Sequence, residues 1–188
     1  LPMQEPLPGA QDTGAPAGFG PAGRALLALS KLLSVVGGLV FVLLVTMSIV
    51  SITGRKLAAS PVPGDVELLQ MSAAFACACF FAYCHLAGGD VKVDFFTQRL
   101  SPAANHGLDA FGSLLFGLMG AALCWRGAAG MLTVQESGET SVILGWPVWI
   151  AQALMLPGLA LMALAGFYQA GVHLRLARAS NTTVELQS

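Results

Sequence analysis

Charged residues are scarce in this sequence. Asp, Glu, Lys and Arg together make up only 10% of its 188 residues, against roughly 25% in an ordinary soluble domain. Hydrophobic residues make up 55%, and the mean hydropathy is +0.72. This composition excludes a water-soluble protein. The net charge of -1 also provides no basic surface of the kind that nucleic acid requires, so we expect no nucleic-acid partner.

Cysteine and histidine are few as well, with four Cys and three His in the chain. A disulfide framework or a zinc site would place cysteines in loops at ligand spacing, but here all four lie inside apolar blocks. Two of them are one residue apart, so on a helix their side chains diverge, which argues against a thiol-oxidising enzyme. We expect no metal, no cofactor, no catalytic residue and no enzymatic activity. The cysteines are Cys77, Cys79, Cys84 and Cys124.

The apolar residues form four blocks, each near the ~20 residues that a helix needs to cross a ~30 Å hydrocarbon layer. We predict an all-α membrane protein with one domain over residues 24–175. Residues 1–23 are rich in Pro, Gly and Ala and cannot bury enough surface to become ordered, so they are predicted to be a flexible tail. Residues 176–188 are predicted to be a C-terminal tail. The predicted transmembrane helices cover about 26–53, 66–87, 103–130 and 146–174.

The connection between helices 2 and 3 has its own pattern. Asp65 is placed to be the N-cap of helix 2, and Gly88-Gly89 should end that helix. The following residues 90–100 mix charges with Val and Phe side chains, which is typical of a short amphipathic helix lying in the membrane interface against lipid. The fold class is therefore four transmembrane helices plus this short interfacial helix.

The distribution of Lys and Arg predicts the orientation of the chain. One side of the membrane would carry six basic residues and the other three, so the positive-inside rule places both termini in the cytoplasm. The first set is Arg24, Lys31, Lys92, Arg99, Arg175 and Arg178, and the second is Arg55, Lys56 and Arg126.

Ionisable residues within the spans lie near the expected span ends, where their side chains can reach the headgroups. Because a pump or proton relay normally needs such groups at the midplane, this chain alone is a poor candidate for moving ions or solutes. His85 and His173 fall near the same membrane surface, with His106 on that side too. They are either ordinary interfacial histidines or the ligands of a haem in the membrane anchor of a respiratory enzyme.

Two groups of charged residues are candidate polar contacts. Arg55, Asp65 and Glu67 are brought together by the loop between helices 1 and 2, and Lys92 and Asp94 lie in the interfacial segment. Each group is either a plain set of helix-end charges or a contact that aligns helices or docks a partner.

Small residues recur in the spans and would let helices pack closely or admit a larger membrane partner. They are Gly37, Gly38, Ala73, Ala74, Ala76, Ala78, Gly112, Gly117, Gly120 and the residues from Gly127 to Gly130.

The order of several short motifs resembles one family. These motifs are Arg55 after helix 1, Pro63-Gly64-Asp65-Val66-Glu67-Leu68 at the start of helix 2, Gly88-Gly89-Asp90-Val91-Lys92-Val93-Asp94 at its end, and Gly138-Glu139-Thr140-Ser141 before Leu144-Gly145-Trp146-Pro147. Over roughly residues 26–172, the chain resembles the small membrane subunit of tripartite ATP-independent periplasmic (TRAP) transporters. One departure is Asp90, where the family commonly has His.

The resemblance implies a function in a bacterial inner membrane. Such a subunit would be the scaffold partner of a large multi-span membrane subunit in uptake of an organic acid, driven by an ion gradient and supplied by a periplasmic binding protein. The five residues Arg55, Asp65, Glu67, Lys92 and Asp94 would then be structural or subunit-interface contacts. The alternatives from other classes are the haem-bearing redox anchor and a stand-alone structural membrane protein.

Overall fold

The computed structural model describes residues 20–58, 62–89 and 102–185, and these fold into four long helices with no strand among them. Each helix contains a segment long and apolar enough to cross a membrane. The predicted all-α fold with four transmembrane helices is confirmed. The helices are α1 (Pro21–Ala58), α2 (Asp65–Leu86), α3 (Pro102–Ser137) and α4 (Val148–Glu185).

Three of the helices are longer than expected. α1, α3 and α4 contain 38, 36 and 38 residues, or about 54–57 Å at 1.5 Å per residue, which exceeds the ~40–45 Å of a bilayer with its headgroups. Counting apolar residues locates only the part that crosses hydrocarbon, because the helix continues through the polar residues beyond it. The segment assigned to a C-terminal tail is therefore helical through Glu185, and α1 begins at Pro21.

The predicted interfacial helix over residues 90–100, with Lys92 and Asp94, lies outside the described residues, as do residues 1–19 of the predicted N-terminal tail. Their predicted structure stays a prediction.

α2 begins and ends within a residue of its expected bounds. Gly64, in the left-handed region with φ +74°, precedes it, and Asp65 is its first helical residue. The prediction of Asp65 as the N-cap is wrong, because the turn places Gly64 in that position and turns the Asp65 carboxylate toward α1. At the other end Gly88 has φ +69° and donates its N–H to the His85 carbonyl at 3.2 Å, so the predicted stop at Gly88-Gly89 is confirmed.

The four helices form a row. α4 packs against both α3 and α2, and α1 packs mainly against α2. The spatial order is therefore α1, α2, α4, α3, with α1 and α3 at the two edges. α1 also touches α4 near its N-terminus, where the Gly20 N–H donates to the Tyr168 hydroxyl at 3.2 Å. A row leaves two broad faces uncovered, unlike a closed bundle.

Small residues set the spacing within the row. A Cβ on Gly166 of α4 would lie 2.5 Å from the Gly117 Cα of α3, and a Cβ on Gly158 would lie 2.8 Å from the backbone of Ala78 in α2. Gly37 of α1 is similarly close to α2, since a Cβ there would lie 2.8 Å from the Cys79 Cβ. The expected close packing through small residues is thus present at the three main helix contacts, α1–α2, α2–α4 and α3–α4.

The apolar surface of the row is extensive. In α1, Leu32, Val35, Leu39 and Val42 are each 60% to 64% exposed. Most of the apolar span of α1 is not covered by the other helices. This surface must face lipid or another membrane protein, because its exposure to water would oppose folding.

Candidate functional site

The loop between α1 and α2 is tied to α1 by Ser51 and Arg55, which are one turn apart on that helix. The Asp65 carboxylate accepts a hydrogen bond from the Ser51 hydroxyl at 2.5 Å and from the Arg55 guanidinium at 3.3 Å. The Ser51 oxygen also accepts from the backbone N–H of Val62 at 3.4 Å. Ser51 is buried and binds both Val62 and Asp65, one at each end of the turn. The Arg55 side chain, by contrast, is 59% exposed.

Glu67 faces a different part of the chain, the loop between α3 and α4. Its carboxylate accepts hydrogen bonds from the Ser141 hydroxyl at 2.7 Å, the Ile143 N–H at 3.0 Å and the Leu144 N–H at 3.2 Å. The structure therefore separates Glu67 from the ion pair of Arg55 and Asp65, although the sequence suggested one cluster. One carboxylate that accepts three donors fixes the position of this loop.

The α3–α4 loop is folded so that its donors converge on Glu67. The Ser141 N–H donates to the Trp146 carbonyl at 2.8 Å, and the Gly145 N–H donates to the Ser141 carbonyl at 3.1 Å. Gly138 and Gly145 have φ values of +67° and +66°, a conformation that glycine adopts without strain. The closed turn points the N–H groups of Ile143 and Leu144 outward, where a carboxylate can accept hydrogen bonds from them.

The two loops also contact each other directly. Gly64 is buried against Leu144, and a Cβ at Gly64 would lie 2.6 Å from the Leu144 Cγ. The α1–α2 turn, the first turn of α2 and the α3–α4 loop thus form one unit. We call residues 62–67 and 138–147 the loop platform.

The loop platform presents apolar side chains at the end of the helix row. Val142, Ile143 and Trp146 are 94%, 61% and 59% exposed. Leu57, at the end of α1 and beside the α1–α2 turn in the chain, is 83% exposed. Apolar residues held on fixed backbone are suited to contact with a protein or with the membrane interface. The contacts that the structure shows at this site position the two loops against each other.

The opposite end of the row holds the histidines. The His85 ring stacks on Phe116 with centroids 4.2 Å apart, whereas the His106 and His173 rings are 6.0 Å apart. The His173 Nδ1 lies 3.9 Å from the Asp109 Oδ2. The sequence placed the three histidines at one end correctly but did not identify Asp109 as a member of the group. Its position three residues after His106 on one helix was the available signal.

The contacts of the candidate residues differ in kind. Arg55, Asp65 and Glu67 make structural contacts within the chain, and their expected role at a subunit interface stays a prediction. Lys92 and Asp94 are outside the described residues. Sequence reasoning missed Ser51 and Ser141, the two hydroxyls that bind the carboxylates.

The chain matches a known protein family. The family of the DctQ component of tripartite ATP-independent periplasmic transporters matches residues 41–176. The match runs from the middle of α1 into α4, and it includes the loop platform and the histidine group. No curated protein and no solved structure gives a match.

Proposed function

We infer the function from one premise: this chain belongs to the family of the DctQ component of tripartite ATP-independent periplasmic transporters. It is the small membrane component of such a transporter, a multi-pass membrane protein. We propose that it acts as a fixed scaffold beside a large multi-span subunit during ion-gradient-driven uptake of an organic acid. A periplasmic binding protein would deliver that acid.

The helix row supports the scaffold role. A single layer has two apolar faces and two edges, so a larger membrane subunit can cover one face while lipid covers the rest. Two ion pairs among the described residues lie toward opposite ends of the helices. Asp65 belongs to the pair at one end, and Asp109 belongs to the pair at the other. Substrate binding in this transporter is accordingly assigned to the large subunit.

The loop platform supports a docking role. Its exposed apolar residues sit on backbone that Glu67 holds in place, so little ordering entropy would be lost when a partner binds. We propose that this end faces the periplasm of a bacterial inner membrane, and that both termini are cytoplasmic. The Lys and Arg distribution supports this orientation, because residues 133–144, at the end of α3 and in the α3–α4 loop, contain Glu136 and Glu139 and neither Lys nor Arg.

The proposal is tested by assembly and by uptake. The tagged chain, expressed with the genes next to its own, should retain one large multi-span protein in mild detergent at about one-to-one stoichiometry. Vesicles that contain both membrane subunits, supplied with the binding protein, should take up a labelled organic acid only when an ion gradient is imposed. Recovery of the chain alone, or with a soluble redox enzyme, would contradict the proposal.

A matched pair of variants tests the contribution of the loop. R55Q removes the cation that binds Asp65, whereas K56Q removes the neighbouring exposed cation. We expect R55Q to lower uptake severalfold, because the α1–α2 turn loses its second link to α1, and K56Q to leave uptake near wild type. Equal uptake by both variants would remove the assigned role of Arg55.

A further inference from the structure

A group of three potential metal ligands lies between α3 and α4, at the end opposite the loop platform. His106 and Asp109 are three residues apart on α3 and so share a face of that helix, and His173 of α4 lies opposite them. One ligand atom from each residue can be chosen so that all three lie within 4.8 Å of one another. The closest contact given for the group is 3.9 Å, between the His173 Nδ1 and the Asp109 Oδ2.

The donor set matches a known coordination chemistry. Two imidazoles and one carboxylate bind Zn²⁺ in proteins, with water in the remaining tetrahedral position. Bond lengths of about 2.0–2.2 Å imply ligand atoms about 3.4 Å apart in a tetrahedral site. The 3.9 Å contact would need to shorten by roughly half an ångström, and the other separations in the group, which are at most 4.8 Å, by up to about 1.4 Å for the same tetrahedral geometry.

The surroundings of the group also favour a bound ion. The His106 Nδ1 is shielded from solvent and has no hydrogen-bond partner among the described residues, which is costly for a buried ring nitrogen. A cleft of about 290 Å³ opens beside Asp109 and His173. It provides both an entry path for a cation and room for a water ligand.

We propose that His106, Asp109 and His173 form a Zn²⁺ site that joins α3 to α4. The two helices already pack along their length, and a metal at this end would fix their relative position there. The proposal does not depend on transport: it concerns the folded chain alone, so its failure would leave the proposed function untouched. It differs from the sequence-based expectation of no metal, because the ligands come from helices that only the fold brings together.

Co²⁺ is the probe, because its visible absorption reports tetrahedral coordination where Zn²⁺ is silent. The full chain, purified in detergent with a tag that contains no histidine, is stripped with EDTA and titrated with Co²⁺. We expect one Co²⁺ per chain, an absorption band of a tetrahedral site and displacement by one equivalent of Zn²⁺. Absence of such a band in the wild-type chain, or a haem spectrum in the purified protein, would overturn the proposal.

Variants identify the ligands. H106Q and H173Q should each weaken Co²⁺ binding at least about tenfold, since even outer-shell substitutions cost 10–100-fold in affinity. H85Q, which removes the third histidine of the same end, should bind as the wild type does. Unchanged Co²⁺ affinity in both H106Q and H173Q would overturn the proposed site. It would mean that the metal binds elsewhere and that Asp109 and His173 form only an ion pair.

Two further measurements separate metal binding from a folding defect. H106C should keep the site and add a cysteinate-to-cobalt charge-transfer band in the near ultraviolet. Added Zn²⁺ should raise the midpoint of thermal unfolding in the wild type and in H85Q but not in H173Q, because a ligand stabilises only the state that binds it. A Zn²⁺-induced rise of equal size in H173Q would contradict the proposal.

Discussion

Replacing Gly166 by alanine should separate α3 from α4. The added Cβ would lie 2.5 Å from the Gly117 Cα and 2.8 Å from the Ser113 carbonyl oxygen, and it would also contact the Gly117 nitrogen. Nonbonded carbon atoms prefer separations of about 3.5–4.0 Å, so the two backbones must move apart by about 1 Å. The three nearest atoms all belong to backbone, so rotation of a side chain cannot relieve these contacts.

The magnitude follows from the behaviour of tightly packed sites. Inserting a methyl group where there is no room costs typically about 1–3 kcal/mol. At 1.4 kcal/mol for each factor of ten, G166A should have a folding equilibrium constant about 5- to 150-fold lower than a variant that gains the same helix propensity without the close contact. G171A on the same helix is the matched control, because a Cβ at Gly171 has no atom within 4 Å and alanine favours helix over glycine.

Unfolding by SDS in mixed micelles, followed by tryptophan fluorescence, measures the effect. The three tryptophans, Trp125, Trp146 and Trp149, lie on α3, in the α3–α4 loop and on α4, so they report on this helix pair. G166A should unfold at lower SDS than the wild type, and G171A should not. If G166A and G171A have the same midpoint, the close contact between the two glycines does not limit helix packing.

Two further predictions concern the loop platform. G64A and G138A both place alanine at a positive φ, which costs about 1–2 kcal/mol, but only the alanine of G64A would also contact Leu144. The midpoint of thermal unfolding should therefore be lower for G64A than for G138A. Equal midpoints would contradict the contact between the two loops. E67Q should speed hydrogen exchange about tenfold at the loop amides that donate to the Glu67 carboxylate, whereas E136Q, at the exposed end of α3, should leave the exchange rates of these amides unchanged. Mass spectrometry of the loop peptides measures the exchange in both variants. Equal protection in the two variants would show that Glu67 does not hold the loop.

The sequence was sufficient to predict four helices and the bounds of α2. The apolar blocks define the spans, and Gly64 and Gly88 mark the ends of α2 by conformations that favour glycine. The far ends of α3 and α4 were not predictable in this way, because a helix that leaves the hydrocarbon continues through polar residues such as Gln135 and Arg175. Hydropathy contains no information on where such a helix stops.

The contacts of the candidate site were harder to predict. Arg55 and Asp65 are separated by one short loop, so their pairing could be expected from the chain alone. Glu67 and Ser141 are 74 residues apart, and their contact depends on the order of helices in the row and on the turn that aims the loop amides. The partners of His106 depend in the same way on how α3 and α4 are aligned.

The order of helices in the row differs from their order of synthesis. α4 is synthesised after α2 and α3, yet it lies between them, so both of these helices lack a shared neighbour until α4 has been made. In a chain that stops before residue 148, the alanine-containing face of α2 around Ala78 and the glycine-containing face of α3 around Gly117 therefore have no helix packed on them. The contacts within the helix row therefore cannot be completed before α4 has been synthesised.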